Sequence, residues 1–246
     1  MRAWFLGGSS GLGLELARAA RRLKMATSVW GRGIGNSSNN HLDLADRSSV
    51  DAFCVFIRKA DPVFIQELNF FVWNAGILDY RLFGAGSDIE QSLKINVIHP
   101  TLIIRELIAR KVNLDSTIHL VVISSVASWR ARKKMAVYAG AKAYQAQFAR
   151  ALALDLEKIH LGSKVTIAMP AGIRTGIFKK ASVDTSRFMS PKKVARLVWR
   201  ETLRQDKLCD WFNVISGKSG NPIVSREKFT PELAYDELPL YNRASS

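Results

Sequence analysis

Tyr138 and Lys142 stand four residues apart in the stretch Tyr138-Ala139-Gly140-Ala141-Lys142, a spacing that puts both side chains on one face of a helix. A free tyrosine has a pKa near 10 and is a poor proton donor or acceptor at neutral pH. An ammonium beside it favours the phenolate and brings the pKa down toward the working range of a general acid–base. Ser125 lies 13 residues earlier, at the end of an apolar run, where its hydroxyl can enter the same crevice. A Tyr-x-x-x-Lys pair is common on solvated helices, so its surroundings decide what it means.

A second constellation opens the chain. Gly7, Gly11 and Gly13 follow a short apolar run and precede residues at helical spacing, Leu12, Leu16, Ala19, Ala20 and Leu23. A strand, a tight glycine-rich turn and a helix N-terminus form a phosphate cradle. Glycine lets the backbone approach an anion closely, and the free N–H groups and helix dipole favour its charge. The spacing is GxxxGxG rather than the commoner GxGxxG.

The elements that must hold these groups alternate along the chain. Residues 3–6, 26–30, 41–44, 70–73, 118–123, 165–169 and 212–215 read as strands. Helical periodicity covers the stretch after the glycine turn, and another through Phe53, Phe56 and Ile57 with Ser48 as N-cap. It returns in one long helix over 89–111, in another over 137–159, and from Ser190-Pro191 to Arg204. This pattern predicts an α/β fold: a single doubly wound Rossmann-type domain at 1–216, its parallel sheet covered by helices on both faces. Residues 217–246 read as a tail with little regular structure. Ligands of such sheets bind at the carboxyl ends of the strands, where strand order reverses. Gly7, Arg32, Asn74, Ser125 and Pro170 all follow strands.

With 246 residues, 48% of them hydrophobic, the chain can build a substantial core. No apolar run approaches the roughly 20 residues of a membrane span, and the first strand begins too near Met1 for a signal peptide. Cys54 and Cys209 lack metal-ligand spacing, as do His99 and His160, so no metal site is expected. A soluble, cytoplasmic protein is expected. The net charge of +15 favours anionic partners. Nucleic-acid binding has no recognition motif to support it.

Taken together, these motifs resemble the short-chain dehydrogenase/reductase family, over about residues 1–216. Gly7, Gly11 and Gly13, with Ser9, Ser10 and Leu12 between them, match its phosphate-binding loop. Asp43, followed by Leu44, matches the aspartate that touches the adenine ring. Asn74-Ala75-Gly76 matches the element that supports the central strand. Asn96, Ser125, Tyr138 and Lys142 match the active-site tetrad, and Pro170, Ile173 and Thr175 the segment beside the nicotinamide. The resemblance implies that Tyr138 protonates a carbonyl oxygen as hydride arrives and that Ser125 hydrogen-bonds the same oxygen. Lys142 would bind the nicotinamide ribose and depress the tyrosine pKa, and Asn96 would hold a water in a proton relay. It also implies a homodimer or homotetramer paired through the helices carrying Asn96 and Tyr138. Three positions depart from the family pattern: Leu6 for threonine, Ala171 for glycine, and Ser216-Gly217-Lys218 for the usual Asp-Gly-Gly ending.

Where NAD-preferring members carry an acidic residue after the second strand, this chain has Gly31-Arg32. A guanidinium clamps a 2′-phosphate, so NADP(H) is expected before NAD(H). Arg130, Arg132, Lys133, Lys134, Lys179 and Lys180 should flank the mouth of the site, below a short lid at about 175–190. The expected activity is an NADP(H)-dependent ketoreductase acting on a ketone or secondary alcohol. Its substrate would be a small molecule, anionic or linked to coenzyme A or a carrier protein. The other reading is a non-catalytic regulator or scaffold that keeps nucleotide binding.

Overall fold

The computed structural model describes residues 1–32, 40–84, 86, 88–159, 162–178, 183–217 and 221–226. In chain order the elements are β1 (Arg2–Leu6), α1 (Gly11–Arg22), β2 (Ala26–Trp30), α2 (Arg47–Lys59), α3 (Pro62–Gln66), β3 (Leu68–Trp73), α4 (Ile89–Leu93), α5 (His99–Asn113), β4 (His119–Ile123), α6 (Ala136–Ile159), β5 (Lys164–Pro170), α7 (Pro191–Arg204), β6 (Cys209–Ser216) and β7 (Pro222–Ser225). They form one seven-stranded sheet in the order β2-β1-β3-β4-β5-β6-β7. The first six strands run parallel, and β7 pairs antiparallel to β6. The chain lays β2 on one side of β1 and β3 on the other, so strand order reverses there and opens a crevice above the strand ends.

The alternation of side chains along each strand divides the interior into two apolar layers. On β1, Trp4 and Leu6 face one layer with residues of α2, α5 and α6, while Ala3 and Phe5 face the other with α1 and α7. β3 repeats the division, with Phe71 and Trp73 on the first side and Phe70 and Val72 on the second. Burial on both faces explains why the strands read as continuous apolar runs.

Five features depart from the sequence reading. Residues 41–44 do not form a strand: only His41 bridges to Gly31, and Asp43 then accepts from the Ala45 N–H and turns the chain into α2. The cap of α2 is Asp46, whose carboxylate accepts from the Ser48 N–H, so Ser48 lies inside the first turn. The expected single helix over 89–111 is interrupted by a π-helical segment, Lys94–Ile98. Beyond Gly217 the chain continues the sheet as β7. Arg226 at its end ties down this addition by pairing with Asp210 and Glu201 at 2.9 and 3.2 Å. Leu23, expected on the apolar face of α1, closes that helix and is exposed.

Trp199 of α7 joins the layers on its side of the sheet. It is almost fully buried, packs edge-on against Phe5 and Phe70, and donates its indole N–H to the Leu16 carbonyl at 2.9 Å. Trp199→Ala is expected to cost about 3–5 kcal/mol, read as a lowered urea midpoint at unchanged slope.

Candidate active site

The turn after β1 is shaped by its neighbours. Gly7 has φ +83°, and a Cβ there would come within 2.5 Å of the Ala75 backbone. A Cβ on Gly13 would strike the Gly7 carbonyl and come within 2.5 Å of Asn74 Nδ2. Asn74 Nδ2 donates to Gly7 O at 2.6 Å, and the N–H groups of Asn74 and Ala75 donate to Leu6 O at 3.1 and 2.7 Å. Ser10 is the N-cap of α1 but makes no side-chain cap bond, and Ser9 and Ser10 are both exposed. The loop thus offers hydroxyls and a helix N-terminus to an anion, with no side chain in the way.

Four strand ends feed a cavity of about 260 Å³. Leu12 comes from beyond β1, Asn74 and Gly76 from beyond β3, Ser125 from beyond β4, and Pro170, Ile173 and Thr175 from β5 and the loop after it. Tyr138 and Lys142 enter from α6, on one face as their spacing requires. Ser125 is held by its own turn: its Oγ accepts from the Ala127 N–H at 3.1 Å and donates to Pro170 O at 3.3 Å.

Asn96 lies beneath the cavity in the π-helical segment and is fully buried. Its side-chain amide pairs with the Ile77 backbone in both directions, accepting from N at 2.7 Å and donating to O at 3.0 Å. Pro100, four residues on, has no N–H to give the Asn96 carbonyl. That oxygen instead accepts from the side-chain amide of Gln145 on α6, at 2.8 Å.

Burial sets the acid–base character. It pushes the Tyr138 phenol up to about 12, with a hydrogen bond to Ser125 pulling the other way. Burial also brings Lys142 down to about 7. The expected depression of the tyrosine by its lysine is therefore not the prevailing effect here, because neither charge is solvated. Lys142 Nζ stands 5.6 Å from the Tyr138 ring centroid and donates to Ile123 O at 2.8 Å and to Gln145 Oε1 at 2.9 Å.

Arg32, Asp43 and Leu44 lie away from the cavity, whereas Arg132 lines it. Arg32 is exposed just past β2, its Nε 3.9 Å from Asp43 Oδ1. Ser9 Oγ stands nearby, 3.6 Å from where a Cβ of Gly31 would be. Leu44 turns its side chain into the core, and its carbonyl is bonded to the His99 ring at 2.8 Å. Lys179, Lys180, His160 and Lys218 lie outside the described residues. Among the described residues no cluster of metal-ligating side chains occurs, and no helix is long and apolar enough to cross a membrane. The sequence reading missed Gln145, Tyr80 and Met135. Only Gln145 gave a signal there, as a polar residue on the inner face of α6.

A doubly wound sheet with a glycine turn and a Ser-Tyr-Lys cavity at its switch point defines a dinucleotide-dependent oxidoreductase. A family model described as short chain dehydrogenase matches residues 2–186. The chain belongs to that family, whose members are NAD(P)-dependent oxidoreductases. Among solved structures it is similar to a short-chain dehydrogenase from Burkholderia cenocepacia J2315 in complex with NADP, at 14% identity and a TM-score of 0.68 over 85% of this chain and 86% of that one. Serine dehydrogenase from Escherichia coli matches at 19% identity and a TM-score of 0.69, over 87% and 96% of the two chains. A 4-hydroxyisoleucine dehydrogenase mutant complexed with NADH and succinate matches at 16% identity and a TM-score of 0.72, over 90% and 99%. No curated protein matches the sequence significantly.

Lys142 ties stability to pH. Its ordinary value is 10.5, and the folded chain releases the proton from about 7. Between these limits the unfolded chain binds more protons, so this group makes stability rise with pH, and below about 7 the buried charge costs most. Lys142→Met is expected to raise the urea midpoint at pH 7 and to flatten the wild-type rise toward pH 10.

Proposed function

We propose that the protein is an NADP(H)-dependent oxidoreductase that interconverts a ketone and a secondary alcohol, working as a ketoreductase on a small anionic substrate. The observation that carries this reading is the meeting of Ser125, Tyr138 and Lys142 in one cavity at the switch point, beside a glycine turn shaped for a pyrophosphate. The nicotinamide, when bound, supplies the hydride. As the carbonyl carbon is reduced, negative charge builds on its oxygen, and donors already aimed at that oxygen stabilise it without reorganisation. Tyr138 gives that oxygen its proton and Ser125 Oγ hydrogen-bonds to it. A phenol pushed up to about 12 holds its proton at neutral pH, which suits the reducing direction. Lys142 offers its ammonium to the ribose, and the Ser9 hydroxyl and α1 N-terminus hold phosphate oxygens.

The NADP(H) preference rests on Arg32, exposed past β2 beside Ser9, where no carboxylate occupies position 31. The Burkholderia relative with bound NADP supports it. The anionic substrate rests on Arg132, which lines the cavity, and on Lys134, whose ammonium stands 5.7 Å from the ring of the cavity residue Tyr80. Similarity to dehydrogenases of serine and 4-hydroxyisoleucine, the latter holding succinate, points the same way. Pairing into a homodimer or homotetramer would use the outer faces of α5 and α6. Tyr144 and Leu154 are exposed there, and Ile98 is exposed just ahead of α5.

Energy transfer from tryptophan to reduced nicotinamide tests the cofactor. Wild type is expected to bind NADPH more tightly than NADH. Arg32→Ala should lose roughly tenfold for NADPH, as removal of one charge-assisted contact implies, with NADH unchanged. No binding of either nucleotide would refute the reading. For the substrate, Lys133→Glu with Lys134→Glu is expected to raise KM several-fold for an anionic carbonyl compound and to weaken its salt dependence. Unchanged kinetics would remove the anionic assignment.

A further inference from the structure

Gln145 is fully buried on α6, one turn beyond Lys142, and nothing in the reaction above uses it. Its nitrogen donates to Asn96 O at 2.8 Å and its oxygen accepts from Lys142 Nζ at 2.9 Å. The first contact fixes the second. The Asn96 carbonyl can only accept, so the NH2 end of the amide must face it and the oxygen end must face the ammonium. Pro100 cannot supply the N–H that an i+4 bond to that carbonyl would need. A proline in α5 thus orients an amide on α6, and the amide meets the lysine.

The surroundings of Lys142 leave few other groups to hold its charge. Tyr138 faces it from the same helix, Ile123 O from β4 at 2.8 Å, and Gly76 from the turn after β3, where a Cβ would come within 3.6 Å of Nζ. Asn96 in the π-helical segment reaches it through Gln145. Tyr138 is the one titratable side chain among these groups. Among the described residues no carboxylate forms an ion pair with Lys142. Two neutral oxygens, from Ile123 and Gln145, therefore oppose the desolvation of the ammonium. They occupy two of its three N–H groups and leave one for a ligand in the cavity that Lys142 lines.

Resting on the oxidoreductase reading, we propose that Gln145 is a positioning residue that keeps Lys142 charged and turns its free N–H toward the nucleotide. Removing the amide oxygen disfavours the ammonium, whereas a carboxylate in its place favours it. The two changes act in opposite directions, which simple loosening of the fold would not produce. The fall of Lys142 to about 7 on burial leaves the group near its titration point, where a lost or gained acceptor is felt.

The test is NADPH affinity against pH, from 6 to 10, by energy transfer from tryptophan. The proteins are wild type, Gln145→Met, Gln145→Glu and Lys142→Arg, with folding of each checked by circular dichroism. Wild type should lose affinity on the alkaline side as Lys142 gives up its proton. Gln145→Met, similar in shape but without the amide, should move the midpoint of that loss down by about one pH unit. Gln145→Glu should move it up. Lys142→Arg, charged throughout this range, should lack the loss. Equal midpoints in wild type and the two Gln145 variants, shifts of the same sign in both, or an alkaline loss that survives Lys142→Arg would overturn the role while leaving NADPH binding in place. A wild type that binds neither NADPH nor NADH would bring down the oxidoreductase reading, and this role with it.

Discussion

The hydrogen bond from the Asn74 amide to the Gly7 carbonyl, 2.6 Å long, is the contact on which the site depends. It fastens the turn after β3 to the turn after β1 at the point where the sheet reverses its strand order. Three residues further along, Ile77 pairs with the Asn96 amide and fastens the same segment to the π-helical stretch below. One short piece of chain therefore sets the shape of the phosphate turn on one side and the floor of the cavity on the other. The glycines follow from this. With Ala75 and Asn74 pressed against the first turn, no side chain fits at positions 7 or 13.

A cost accompanies this arrangement. Placing Tyr138 and Lys142 at the base of an apolar cavity disfavours both of their charged forms and drives their proton affinities apart, the phenol's up and the ammonium's down. A site of this kind stabilises the protein less than a hydrophobic plug of the same volume would. Its polar groups are held because each neighbour has a defined partner: Ser125 on Pro170 and Ala127, Ser124 on the Lys142 carbonyl, Asn96 on Ile77. The resulting network fixes the side chains before any ligand arrives.

Much of the architecture was legible in the sequence because its signals are local. Apolar runs stopped by glycine, asparagine or serine mark strand ends, and the active side chains sit at those stops. The Tyr138–Lys142 spacing fixes a shared face without help from the rest of the chain. Other features depend on partners far away in sequence. The helical period continues through residues 94–98, so only the missing N–H of Pro100 hints that the ladder changes there. His41-Leu42-Asp43-Leu44 has the composition of a strand, but the carboxylate of Asp43 bonds locally and turns the chain away after one bridge. β7 looks like a polar tail because its pairing with β6 and the Arg226 ion pairs only arise once the sheet exists. The lowering of the tyrosine pKa by its lysine was inferred from charge alone, and the depth of the cavity reverses it.

The bond between Gln145 and Asn96 joins residues 49 apart and repairs a gap left by a proline. Until α6 docks, the Asn96 carbonyl lacks the side-chain donor that Gln145 brings, so this part of the chain gains full strength only as tertiary structure forms. Contacts that close long loops form late, after local structure has compensated part of their entropy. The floor of the cavity therefore gains this bond only once α6 has docked against the segment ahead of α5.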